Sequence, residues 1–563
     1  MAYSSGSYTS GTSSEMFPNF GGESGTGATS DSAYGKLLSL FKKFVCGEVS
    51  EAVAGANTGT GMVLHTEPTR DVTTNSWTLT FSSATNFAIT ASGETTVNGV
   101  LTGSAPNRKA DISAARFTLS VYEGATAFVS GDTFTFNSTA SGLNAGETWD
   151  VLADTAKGTA PSNYYSDMYT KTLSGTTTSR GDVVSLRYYG QAEINNSFYV
   201  TFSSSGTVFE VRRTTAPGTV IGTGAVGGAV LVIPKIMDIA ISSGGTAFTN
   251  TSYTGPTPTG GNYFTIAPKV SLTTSTSNFT RVMVLRHRGY DGSYNIYETI
   301  AQRAGNNLNR FFLEGYCHSD YSSAVAMLSQ QNISPAWRIK TKNPENAESV
   351  VYHLVADALC AKILLLPSLT DPQGCYFGMY EAHGTPSECR FPVFVGGCVF
   401  QDVTTLDLDS TPGTSSGPFF WSSDKLCYIF PPGGSTGAPW IKGNTSGSAV
   451  GATAGNVNPL DAFYLMPWES AGAAISSAIR VHSGVYGELG TKKSIMPSSI
   501  AISKSDVFGV AGELSGVYFI DSFATVNNAV TLGDTLTINS KTYLIWRFSN
   551  LNTVINSAAI LLG

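Results

Sequence analysis

The sequence predicts a mainly β, multi-domain protein in which β-sandwich modules are inserted into a mixed, mostly β core, with one short N-terminal helix. Three observations predict it. Apolar and polar residues alternate with period two in many short stretches, among them Trp77-Thr-Leu-Thr-Phe81 and Thr133-Phe-Thr-Phe136. Turn signals such as Gly131-Asp132 separate these stretches at intervals of about ten residues, the rhythm of a sandwich. Charged residues make up only 13% of the chain, about half the usual share of about 25%, and Gly, Ser, Thr and Asn take their place. The hydrophobic share of 41% is enough for real cores, and 563 residues exceed the usual size of one domain.

Residues 1–52 read as a flexible arm followed by an amphipathic helix. The first thirty residues are almost all small and polar and cannot bury enough apolar surface to fold alone. They read either as a disordered tail or as an arm that orders against a neighbouring subunit. Asp31 or Ser32 can cap the helix, Tyr34, Leu37, Leu38, Phe41 and Val45 repeat at helical spacing, and Gly47 stops it. That apolar face must pack on its own domain or on a partner. Residues 53–146 form the first inserted β-sandwich, and Asp132 in it reads as a turn residue, with no second carboxylate near in sequence.

The central core is assigned to 147–202 with 281–400, and residues 203–280 to a second inserted β-module. Core material is richest from 281 to 400. The run Val350 to Leu366 is the most apolar, but His353, Asp357 and Lys362 interrupt it and Pro367 ends it. A membrane span needs about 20 largely uncharged residues, so the run reads as a buried segment, helix or strand. Residues 401–470 form a loop-rich segment with the aromatic anchors Phe419, Phe420, Trp421, Trp440 and Trp468. Such loops suit either a surface that packs on other chains or an internally packed loop. Residues 471–563 read as a C-terminal β domain with turns at Gly512 and Asn539-Ser540.

Lys and Arg number 33 against 40 Asp and Glu, a net charge of -7 with no basic block. Nucleic-acid affinity comes largely from neutralised phosphates, so direct nucleic-acid binding is not expected. The seven cysteines, Cys46, Cys317, Cys360, Cys375, Cys389, Cys398 and Cys427, are odd in number and irregular in spacing, and read as reduced thiols in a cytoplasm. The N-terminus lacks the basic and apolar regions of a signal peptide.

Motifs that could carry chemistry lack their context. Gly413-Thr-Ser415-Ser-Gly417 matches a nucleophile elbow, yet Pro412 and Pro418 flank it in a Ser/Gly loop with no strand or helix. Gly222-Thr-Gly224-Ala-Val-Gly227 matches a dinucleotide fingerprint, but the strand-like Ala229 to Ile233 follows it rather than a helix. Cys317-His318 with Asp320, and His383 with Cys389, supply too few ligands for zinc. No catalytic, cofactor or metal residue is expected, and the chain does not read as an enzyme.

The segment from Trp77-Thr-Leu-Thr-Phe81 through Phe117-Thr-Leu to Gly124-Ala-Thr-Ala-Phe-Val-Ser-Gly-Asp-Thr-Phe-Thr-Phe136 resembles a β-module of tailed-bacteriophage structural proteins. Other segments resemble, in order along the chain, a class of phage virion proteins found among tail genes. They are Met1-Ala-Tyr-Ser-Ser-Gly with the Leu37 to Phe44 helix, Trp149-Asp-Val-Leu, Val184-Ser-Leu-Arg187, Tyr294-Asn-Ile-Tyr-Glu298, Phe391-Pro-Val-Phe-Val-Gly-Gly397, Met466-Pro-Trp468 and Phe508-Gly-Val-Ala-Gly-Glu513-Leu-Ser-Gly-Val-Tyr518. The chain departs from that series by its inserted modules at 53–146 and 203–280.

The resemblance implies a virion protein of the tail, baseplate or neck, assembled in the host bacterial cytoplasm. Its expected partners are other virion proteins and copies of itself in a homo-oligomer. A receptor- or glycan-binding appendage that contacts the host surface is the alternative, and a virion-associated hydrolase a third reading. The expected assembly contacts are Tyr34, Leu37, Leu38, Phe41, Phe419, Phe420, Trp421, Trp440 and Trp468.

Overall fold

The apolar run from Val350 to Leu366 folds as an antiparallel hairpin of strands Ser349–Ala356 and Cys360–Leu366. Asp357 makes the turn between them, its carboxylate accepting the backbone N–H groups of Leu359 (2.8 Å) and Cys360 (3.0 Å). The computed structural model describes residues 1–9, residues 36–154 except 104, 106, 107 and 125, and between 169 and 563 the strands given below with the turns beside them. Among the described residues the protein is mostly strand, with one helix, Lys36–Cys46.

The hairpin lies in a seven-stranded antiparallel sheet. Its order is Ala2–Thr9, Ser349–Ala356, Cys360–Leu366, Gln373–Met379, Val393–Gly396, Tyr428–Ile429 and Ile441–Lys442. Both of its faces are apolar. Leu354, Ile363, Leu365, Phe377 and Val395 point to one side. Val355, Leu364, Tyr376 and Phe394, which alternate with them, point to the other. A strand covered on both faces has no polar side to show, which is why the run reads as continuously apolar.

A five-stranded sheet covers the first face, in the order Asp150–Asp154, Phe279–His287, Ile296–Ala304, Phe311–His318 and Trp337–Lys342. It contributes Leu285, Ile300, Leu313, Trp337 and Ile339, and the helix adds Leu37, Leu38, Phe41 and Val45 to the same core. The C-terminal sheet covers the second face. Its order is Ala462–Met466, Ile495–Lys504, Val507–Ile520, Ser557–Leu561, Lys541–Arg547 and Thr535–Ile538, with Glu381–Ala382 pairing to the long strand. It supplies Leu514, Val517, Leu544, Trp546 and Ile560. The centre of the protein is thus three stacked sheets. Each fully buried Leu or Phe in it contributes about 1.5–3 kcal/mol.

The first module is two sheets around one aromatic core. One sheet holds Glu48–Val49, Val53–Ala54, Asn75–Phe81, Asn86–Thr90, Val97–Val100 and Thr133–Thr139. The other holds Met62–Pro68, Lys109–Ser113 and Phe117–Tyr122. The alternating residues Trp77, Leu79, Phe81, Phe134 and Phe136 meet Phe117, Leu119 and Val121 between them, with Trp77 and Phe117 edge to face at 4.8 Å. The chain enters after the helix and returns beside it: Gly142 N–H donates to Phe44 O (2.9 Å) and Trp149 N–H to Val45 O (2.9 Å). Asp132 is indeed a turn residue. Its buried carboxylate accepts N–H groups from Thr58 (2.8 Å), Gly59 (2.9 Å) and Val129 (3.0 Å).

Four expectations change. The second module begins earlier than 203. Tyr169–Ser174, Val184–Tyr188 and Phe198–Phe202, expected in the central core, pair instead with Tyr263–Pro268, Met237–Ile241 and Val208–Arg213. Val220–Ala225 and Leu231–Ile233 complete its two sheets. Phe198, Val200 and Phe202 fill this module's core with Phe209, Val211 and Phe264, and periodicity carries no label for which core a strand joins.

The N-terminal arm is not free over its first residues. Ala2–Thr9 pairs along Thr9↔Ser349 to Ala2↔Ala356 as the edge strand of the central sheet, because main-chain hydrogen bonding to an open sheet edge needs little apolar side chain. Residues 10–35 lie outside the described residues. The loop-rich segment 401–470 gives short strands to two sheets. Gly512 is not a turn. It lies inside Val507–Ile520, where a Cβ would come within 2.2 Å of Glu381 O. The Asn539-Ser540 turn is present, with the positive φ values (50° and 62°) of a tight hairpin.

Candidate functional site: the junction of the first module with the core

Of the residues expected to form assembly contacts, Leu37, Leu38 and Phe41 are buried in the chain's own core at 2%, 0% and 0% exposure. They are therefore not a surface for a partner. The reason is local: the apolar stripe of the helix faces Tyr8, Trp149 and Phe377, and Phe41 packs edge-on against Trp149 and Phe377. Tyr34, Phe419, Phe420, Trp421, Trp440 and Trp468 lie outside the described residues, as do Ser415 and Cys389.

Gly222 and Gly224 of the glycine-rich motif sit in a strand, where their lack of side chain makes room for Ile233 and Phe209. They serve packing there. Cys317 and His318 are neighbours on one strand and so point to opposite faces, which ends any shared metal role. No group of three or more His, Cys, Asp or Glu side chains among the described residues is arranged to hold a metal ion.

Ionisable groups gather inside the core instead. Trp149 stacks on the His287 ring at 4.3 Å and donates its Nε1–H to Asp357 O (2.8 Å). His287 Nε2 lies 3.1 Å from Glu298 Oε1, and the Cys317 thiol donates to the same carboxyl (2.9 Å). All three side chains are fully buried. Burial pushes the Glu298 carboxyl above its ordinary range, and burial followed by the nearby Glu298 charge pushes the Cys317 thiol well up. A thiol held protonated and away from solvent is inert as a nucleophile. This cluster knits three strands of the five-stranded sheet to the central sheet.

Two further clusters join the first module to the core. Arg70, after the strand Met62–Pro68, reaches Asp150 Oδ1 (3.0 Å), and Arg286 grips Asp150 Oδ2 (2.7 Å). The Arg70 guanidinium also lies over the Tyr294 ring at 3.7 Å, an attraction between cation and ring face. Deeper in, Lys42 of the helix meets Glu67 of the module and Asp154 of the core strand. Its Nζ is 2.7 Å from Asp154 Oδ2 and in direct contact with Glu67 Oε2. The three residues are 5%, 3% and 0% exposed.

Glu67 is aimed there by a bulge: the pairing of Met62–Pro68 with Phe117–Tyr122 slips between Leu64 and Glu67, where His65 has φ of 58°. Asp154 likewise follows a slip between Val151 and Ala153. Reading the sequence missed this triad. One signal pointed to it: Lys42 follows Leu38 by four residues and so falls on the apolar stripe, where a charge must find partners.

No protein-family model and no curated protein matches the chain. No helix among the described residues is long and apolar enough to cross a membrane.

Proposed function

We propose that the chain is a structural component of a tailed-bacteriophage particle, in the tail, baseplate or neck, which assembles with copies of itself and with other virion proteins into a symmetric ring or complex. The observation that carries this reading is the first module's form as a closed insertion. It has its own aromatic core and leaves and rejoins the chain beside one helix. The segment that resembles phage β-modules falls inside it. Insertion at such a point costs little loop-closure entropy, so a core can bear added modules without losing its own packing. The low charge of the chain suits contacts whose buried centres are poor in charge, and symmetry multiplies weak contacts into durable ones.

The test is the mass of the purified full chain in solution, its averaged images by electron microscopy, and antibody labelling of mature particles from a producing host. A closed oligomer and labelled particles are expected. A lone monomer absent from particles overturns the proposal, and a monomer or trimer that binds host-surface glycan replaces it with the appendage reading.

A further inference from the structure

We propose that Lys42, Glu67 and Asp154 form a self-crosslinking site in which an amide bond joins Lys42 Nζ to Asp154 Cγ and Glu67 carries the protons. The geometry brings the three groups the reaction needs into direct contact. An amine lies 2.7 Å from one carboxyl oxygen and touches a second carboxyl, and the three groups come from three separate elements that close off solvent. With all three ionised, the triad would hold a net negative charge in a site that also buries the Cys46 thiol. Burying ionised groups is expensive even when they are paired. Proton transfer from the ammonium to a carboxylate leaves the net charge unchanged but turns one ion pair into two neutral groups, which burial favours. The neutral amine is the nucleophile the reaction needs, and the protonated Asp154 carboxyl is its electrophile.

The step balances without an oxidant or cofactor. The Nζ lone pair attacks Cγ and the N–C bond forms. Glu67 takes a proton from the attacking nitrogen and delivers it to the departing Asp154 oxygen. The C–O bond breaks and one water leaves. Two free groups in water would not condense, but groups held in place react with effective molarities of about 10⁵–10⁸ M, and the dry site disfavours the reverse hydrolysis. Asp154, rather than Glu67, is the bonded partner because its short side chain is fully enclosed on the core strand, while Glu67 follows the bulge at the module's edge. The product ties residues 112 positions apart and closes the entire first module into a covalent loop. A pull along the chain across residues 42 and 154 would then be borne by a peptide-like bond, and the module would be bypassed. The bond does not depend on the particle reading.

The experiment is the intact mass of the fully denatured full chain, followed by peptide sequencing of its tryptic digest. The expected result is a chain one water lighter than its sequence, with a branched peptide joining Lys42 to Asp154 and no tryptic cleavage at Lys42. Glu67→Gln is expected to restore the full mass. Asp154→Asn is expected to lose ammonia instead of water and reach the same final mass as the crosslinked wild type, which keeps the test decisive if Glu67→Gln does not fold. A wild-type chain at its full sequence mass overturns the proposal. A branch from Lys42 to Glu67, or a bond that survives in folded Glu67→Gln, overturns the assigned roles.

Discussion

Acid is expected to weaken the three-sheet core through His318. This residue ends the strand Phe311–His318, is fully buried, and has no hydrogen-bond partner at Nδ1 or Nε2 among the described residues. Burial pushes its pKa down to about 3 from an ordinary value of about 6.5. The unfolded chain therefore takes up a proton near pH 6.5, and the folded chain does not until about pH 3. The stability tied to a neutral His318 is whole above about pH 6.5 and falls by about 1.4 kcal/mol per pH unit below it. At about pH 4.5 the loss from this one residue is about 3 kcal/mol.

His353 works in the same direction: burial takes it to about 4, and its Nδ1 lies 2.8 Å from the Tyr3 hydroxyl. The comparison therefore uses His318→Phe, which keeps a ring against Tyr321 and removes the titration. Denaturant midpoints of the core transition are measured for both chains at about pH 7 and about pH 4.5. The acid-induced loss is expected to be smaller in the variant by about 2–3 kcal/mol. Equal losses in the two chains would refute the reasoning.

The other two predictions concern the first module and the sheet edge. Burial works against the Asp132 carboxylate, but the N–H groups of Thr58, Val129 and Gly59 together hold it below its ordinary range. Its contribution is present above the unfolded carboxyl pKa of about 4 and is lost as the pH falls through the lower folded value. Asp132→Asn turns an amide NH₂ toward donors and is expected to destabilise the module by about 1–3 kcal/mol, read as faster proteolysis between residues 48 and 139. Deleting residues 2–9 uncovers the edge of Ser349–Ala356 along its whole length. An open edge of that kind templates further pairing, so the truncated chain is expected to aggregate in light scattering where the full chain does not.

Much of the architecture was legible in the residues because local periodicity reports what a segment does with its two faces. The alternation at Trp77 to Phe81 and Thr133 to Phe136, the helical repeat from Leu37 to Val45 with its Gly47 stop, and the Asn539-Ser540 turn all correspond to elements that are present. The unbroken run from Val350 was ambiguous for the opposite reason. With apolar neighbours on both sides, its strands carry no alternation to read.

The residues alone therefore established the kind of the clearly periodic elements and the strand-rich class, because these follow from φ/ψ preference, side-chain spacing and turn chemistry within a few positions. Only the folded chain decided which core each strand enters, that Ala2–Thr9 completes a sheet some 350 residues away, and that Lys42, Glu67 and Asp154 share one buried point. Those are contacts between distant positions. They are set by the complementarity of whole faces and by where a buried charge can find an opposite one, and no local pattern encodes either.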